Sequence, residues 1–124
     1  MKREQFEDLV EEALEGLPDE FAESLDSISV VVEDWPTQEQ MADVQVARRQ
    51  DLLGLYEGVP LPERSRWLAS KLPDKISIFQ KPIEIRSSSK AQMLKLVREV
   101  LYHEIGHYFG ISDRRLMEIE GEER

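Results

Sequence analysis

The order of apolar patterns along this 124-residue chain predicts an α+β fold: a small three- to four-stranded twisted sheet packed against an N-terminal helix and a long central helix. Three observations carry that prediction. The first segment repeats apolar residues at helical spacing, the middle holds short β-branched runs punctuated by Gly and Pro, and the stretch after Ser89 is apolar over a wide helical arc. The length suits a single domain, 1–124, with one modest core.

Residues 4–16 read as an amphipathic helix, because Phe6, Leu9, Val10, Ala13 and Leu14, then Leu17, follow the spacing of one face. Glu4, Glu7, Asp8, Glu11, Glu12 and Glu15 fill the other face as a solvated surface, and those in the first turns complement the helix dipole. Gly16 and Pro18 stop it, with one further helical turn expected over Asp19 to Ser24. Ser27 to Glu33, SISVVVE, has the β-branched density of a buried strand, closed by Trp35-Pro36. Thr37 to Gln50 lacks a clear period and reads as a surface excursion, partly helical around Gln40 to Arg49, with no assigned role.

Leu52 to Tyr56 is the second strand, and its interior Gly54 signals a bulge or a close backbone approach. Pro60 and Pro62 hold the next stretch extended, Arg64 to Lys71 follows as a helical turn or loop, and Trp67 reads as a packing anchor. Leu72-Pro73-Asp74 reads as a turn. Ile76 and Ile78 alternate in Lys75 to Gln80 as in a half-buried strand, and beyond Pro82 the pair Ile83 and Ile85 continues the alternation to Arg86 as a candidate fourth strand. Ser87, Ser88 and Ser89 are N-cap candidates for the long helix, whose apolar residues include Met93, Leu94, Leu96, Val97, Val100, Leu101 and Ile105. Tyr108 and Phe109 read as core, and Asp113 to Glu120 as a short final helix before a frayed end.

The chemistry concentrates in HEIGHYFGISD, His103 to Asp113. At 100° and 1.5 Å per residue, His103 and His107 lie about 6 Å apart along a helix axis and about 40° apart around it, so both imidazoles can reach one ion. Glu104, about 100° round from His103, falls beside that ion, where a carboxylate can take a proton from water. Both histidines sit at the helix C-terminus, whose dipole favours cations. Gly106 leaves room beside the ion, Gly110 ends the helix through its left-handed conformation, and Asp113 is brought back as a candidate third ligand. The bland alternative makes the histidines ordinary polar positions, Gly110 a plain cap, and Ser112 or Asp113 the cap of the last helix.

HExxHxxGxxD resembles the zinc-binding signature of the zincin metallopeptidases, in the variant where Asp replaces the third His of the metzincins. Together with LLGLYEGVPLPERS, LPDKISIFQKPI and LVREVLYHEIGHYFGISD, it is similar to the small bacterial zincin-like family described as a minimal matrix-metalloprotease-like domain, a likeness spanning about residues 5–117. The resemblance implies a zincin-like fold, zinc (Zn2+) held by His103, His107 and Asp113, and Glu104 as catalytic base in peptide hydrolysis. It also implies an edge strand beside the substrate backbone. Two features depart from the metzincins: no Met-turn is evident, since Met117 follows Asp113 by four residues, and the chain is short for a second lobe. Tyr56, Tyr102 and Tyr108 are the available oxyanion donors.

The absence of cysteine excludes disulfides and thiolate zinc sites. No apolar run is long enough to span a membrane, and the acidic start lacks a signal-peptide core, so the expected location is cytoplasmic. A net charge of -10 argues against a nucleic-acid partner, which requires clustered Lys and Arg. Two functions are then expected: a zinc hydrolase acting on a peptide or protein substrate, or a zincin-fold binding module with little or no turnover. Intact Glu104 favours the first, and the small size favours the second.

Overall fold

The computed structural model describes residues 1–58 and 74–110, apart from the side chains of residues 20 and 22–24. In chain order the elements are α1 (Arg3–Glu15), α2 (Asp19–Ala22), a 3-10 turn at Glu23–Ser27, β1 (Ile28–Glu33), α3 (Gln38–Asp43), a second 3-10 turn at Arg49–Asp51, β2 (Gly54–Glu57), β3 (Asp74–Phe79), α4 (Gln80–Ile85) and α5 (Lys90–Tyr108). The anticipated turn at Arg64 to Lys71, Trp67, Met117 and the final helix at Asp113 to Glu120 lie outside the described residues. Among those described, no helix is long and apolar enough to cross a membrane.

The strands form one mixed sheet in the order β1-β3-β2. β1 runs parallel to β3, with Ile28 opposite Asp74 and Val32 opposite Ile78, while β2 runs antiparallel, with Gly54 opposite Ile78. Packed side chains cover both faces of β3, and the half-buried alternation expected for it is corrected to a strand buried on both sides. Ile76 and Ile78 join Phe6, Leu9, Val97, Leu101 and Ile105 on the face under α1 and α5. Phe79 joins Leu52 and Leu55, with Met41 and Val46 against them, in a second cluster.

The expected fourth strand is absent among the described residues, and Gln80–Ile85 forms α4 instead. Pro82 lies in the first turn of that helix, where its missing N–H would have had no intrahelical partner and its fixed φ is already helical. Ile83 and Ile85 then fall on different sides of a helix, not on one face of a strand: Ile83 is fully buried and Ile85 is 62% exposed.

Arg3 fastens α1 to the sheet by donating to the Val32 carbonyl at 3.0 Å, to Asp34 Oδ1 at 2.7 Å and to Gln80 Oε1 at 3.2 Å. The Arg3 hydrogen bond holds the Asp34 carboxyl below its ordinary range. Its contribution is therefore present above the unfolded carboxylate range and is lost as pH falls through the lowered folded value.

α5 packs against α1, β2 and β3. Its approach to β2 depends on Gly54, where a Cβ would run into the Val100 side chain and stand 3.1 Å from the Ser77 carbonyl oxygen. Gly54, interior to the strand expected at Leu52 to Tyr56 and the first residue of the observed one, thus marks a close backbone approach, one of the two meanings its expected position allowed. Gly54→Ala is expected to cost about 1–3 kcal/mol of stability by overpacking. Denaturant titration should show part of that loss recovered in Gly54→Ala/Val100→Ala; equal stability of Gly54→Ala and the parent protein would contradict the close approach.

Candidate metal centre

Of the three candidate serines, Ser89 caps α5, its Oγ accepting the Gln92 N–H at 3.1 Å. From there the helix buries Met93, Val97, Leu101 and Ile105 at four-residue intervals. That stripe anchors the helix in the core and fixes the direction of its last turns. The helix closes where the glycine signal placed it: Gly110 has φ +76° and its N–H reaches the His107 carbonyl at 2.9 Å.

His103, Glu104 and His107 come together on this end of α5. One potential ligand atom from each lies within 4.8 Å of the others, and the two imidazole centroids are 5.0 Å apart at an interplanar angle of 73°. Donors bonded to one zinc at about 2.0–2.2 Å stand no more than about 4.4 Å apart, so small side-chain rotations would close this set on an ion. Two imidazoles and a carboxylate are also the nitrogen and oxygen donors that zinc accepts in a cysteine-free protein. Asp113 lies outside the described residues.

Glu104 is 9% exposed, and its Oε1 accepts the Tyr56 main-chain N–H at 2.9 Å. The register explains why that N–H is directed there. The Phe79 N–H donates to the Leu53 carbonyl, so alternation along the antiparallel pair turns Leu53, Leu55 and Glu57 toward β3 and the main-chain groups of Gly54 and Tyr56 outward from the edge. A helix carboxylate therefore meets a strand-edge amide across the close approach at Gly54.

The tyrosines part company. Tyr56 lines the cavity beside the histidines, but its hydroxyl donates to the buried Asp74 Oδ1 at 2.7 Å. Tyr102 packs edge-on against Phe21 at 5.0 Å, and Tyr108 against Tyr56 at 6.0 Å. Asp74, read from sequence as part of a turn, is instead a 4% exposed residue at the start of β3. Gly58 lies against it, since a Cβ there would collide with Asp74 Oδ1.

A cavity of about 590 Å³ opens over His103, Glu104 and His107, walled by Leu55 and Tyr56 of β2 and by Val44, Val46 and Leu52. A second hollow of about 320 Å³ shares Gly54, His103 and Glu104 and continues toward Asp51 and Glu99. Together they make a trough along the β2 edge, with Asp51 bridged to Arg86 at 3.1 Å at its far end. Sequence reasoning gave the segment from Thr37 to Gln50 no role, yet it supplies part of the wall. The apolar pair Val44 and Val46 in this polar run was too short to establish a period.

No curated protein matches the chain. The family model described as zincin-like metallopeptidase matches residues 25–123, a span that includes β1, β2, β3 and the histidine helix. Such a family implies a metal, typically zinc, and the donor set on α5 is of the kind zinc takes. With most of its length matched and a histidine pair beside a carboxylate at the sheet edge, the chain belongs to the zincin-like metallopeptidase family.

Proposed function

We propose that the protein is a zinc-dependent metallopeptidase that cleaves peptide bonds in a shallow trough along β2, with Glu104 as general base. The observation that carries this reading is the hydrogen bond from the Tyr56 N–H to Glu104 Oε1. It anchors the carboxylate at the sheet edge, where Glu104 would take a proton from the attacking water and return it to the leaving amine. His103 and His107, with Asp113 as third ligand, would hold the zinc. A zinc ion there supplies Lewis acidity, polarising the scissile carbonyl and making water nucleophilic near neutral pH.

The outward main-chain groups of Gly54 would offer an extended peptide strand-like pairing and set its scissile bond beside Glu104. The alternative is a zincin-fold binding module with little turnover. The hydroxyl of Tyr56, the tyrosine that shares the cavity with the histidines, is directed at Asp74 and not toward a developing oxyanion, an observation that favours this second reading.

One equivalent of zinc is expected by elemental analysis and titration, with His107→Ala losing it; absence of stoichiometric binding at near-neutral pH would remove the metal site. Glu104→Gln should keep the zinc while hydrolysis of a mixed peptide library falls by about a hundred- to ten-thousand-fold. Loss of zinc in that variant would instead make Glu104 a ligand, and an inactive parent protein that still binds peptides would favour the module. A third comparison isolates the main-chain bond, because proline is tolerated on an edge strand where its N–H would face outward. Tyr56→Pro is expected to lower kcat at least about tenfold below Tyr56→Ala at unchanged zinc affinity; equal kcat values would dismiss the positioning role.

A further inference from the structure

β1 is an edge strand: in the order β1-β3-β2 its outer side has no partner strand among the described residues. Which main-chain groups stand on that side follows from the ladder. The Phe79 N–H goes to Leu53, so Lys75, Ser77 and Phe79 face β2, and the main-chain groups of Asp74, Ile76 and Ile78 face β1. In a parallel pair a residue that faces its neighbour lies opposite one that faces away, which turns Ser29, Val31 and Glu33 toward β3 and Ile28, Val30 and Val32 outward. The Arg3 guanidinium agrees with this assignment, since it takes up the outward Val32 carbonyl at 3.0 Å. That bond still leaves the Val30 N–H and carbonyl and the Val32 N–H without a partner among the described residues.

Beside this edge runs α1. A hollow of about 490 Å³ lies between them, lined by Glu7, Asp8 and Glu11 on the helix side and by Val30, Val31 and Val32 on the strand side. Consecutive strand side chains point to opposite faces, so a hollow that touches all three valines reaches the main chain between them. Glu7 and Glu11 stand one helical turn apart with Asp8 beside them, and none of the three carboxylates has an ion pair among the described residues. A valine edge without Pro, Lys or a bulge would ordinarily invite another copy of the same chain. Here a second copy would bring its own row of carboxylates against the first, on a chain of net charge -10, so the edge is closed to its like and open to a cation.

We infer that the outer edge of β1 and the acidic side of α1 together dock an extended segment of a partner protein that carries Lys or Arg at alternate positions. The main chain of that segment pairs with Val30 and Val32 and adds a strand to the sheet. Because strand side chains alternate, every second residue of the segment projects to the α1 side and meets Glu7, Asp8 and Glu11. Main-chain bonds supply the affinity, while the carboxylates choose the sequence and speed the encounter. The site lies at the opposite edge of the sheet from β2, so it stands whether or not the histidine helix serves a peptidase.

The test uses the full chain carrying Glu104→Gln, so that no peptide is cut, and a pair of fluorescent peptides of one composition, the first alternating Lys with Thr and the second holding its lysines in a block. By anisotropy the alternating peptide is expected to bind at least about tenfold tighter than the block peptide. Glu7→Gln/Glu11→Gln should weaken the alternating peptide about three- to tenfold without lowering the unfolding temperature, since both carboxylates are exposed. Residue-resolved hydrogen exchange reads the pairing itself. Saturating alternating peptide should slow exchange of the Val30 N–H at least about tenfold and leave that of Val31, already turned toward β3, within about twofold. No binding of either peptide, equal affinity for the two, affinity untouched by the double substitution, or an unprotected Val30 N–H each overturns the site. So does a dimer of the free protein in sedimentation velocity that disappears in Val30→Pro, a substitution an outward-facing edge position tolerates, because it would place a second copy on the edge.

Discussion

How near a helix can come to the edge of a sheet depends on what side chains stand between them. Here, at Gly54, the strand contributes none. The Val100 side chain occupies the place a Cβ would take, so α5 lies against β2 and its Glu104 meets the Tyr56 amide. A bulkier strand residue would lift the helix, lengthen that bond and draw the histidine pair away from the trough. The histidine helix and the strand edge it meets are separate pieces of chain brought to one place by a missing side chain.

The core supplies the stiffness that such an arrangement needs. α5 is held by a buried stripe from Met93 to Ile105, and His103, Glu104 and His107 lie at the end of that stripe. β3 is clamped on both faces, and β2 is paired to it through four residues. Groups carried by elements held in this way keep their spacing better than groups on loops. Beneath the edge, the Tyr56 hydroxyl and Asp74 form a buried polar contact at the end of the same strands, tying the strand that faces the cavity to the centre of the sheet.

Much of this was legible in the residues because the relevant signals are local. The period of α1, the β-branched run of β1, the Ser89 cap and the stop at Gly110 each depend on neighbours within a few positions, and each appears where the spacing put it. The histidine pair was legible for the same reason, since HExxH places its side chains by helix geometry alone. The failures are of another kind. Ile83 and Ile85 alternate as a strand would, but Pro82 suits a helix start just as well, and only the position of β3 decides between them. The two-sided burial of β3 depends on which elements pack on each face, which no local pattern carries. The bond between Tyr56 and Glu104 joins residues 48 positions apart through a main-chain atom, which has no signature in side-chain identity. Gln45, left-handed at φ +57° just after α3, conceals its turn because glycine or asparagine is the residue usually found there.

The parallel pairing of β1 with β3 has a consequence for how the chain leaves the ribosome. Ile28 pairs opposite Asp74, about 46 residues later. At synthesis rates of about 5–20 residues per second, the valine-rich β1 waits roughly 2–10 seconds for its neighbour to be made. During that interval a segment with strong β-propensity and no partner strand is open to association with other nascent chains. The acidic helix made just before it, with Glu4, Glu7, Asp8, Glu11, Glu12 and Glu15, would then act as an electrostatic escort, keeping neighbouring chains apart until the sheet closes.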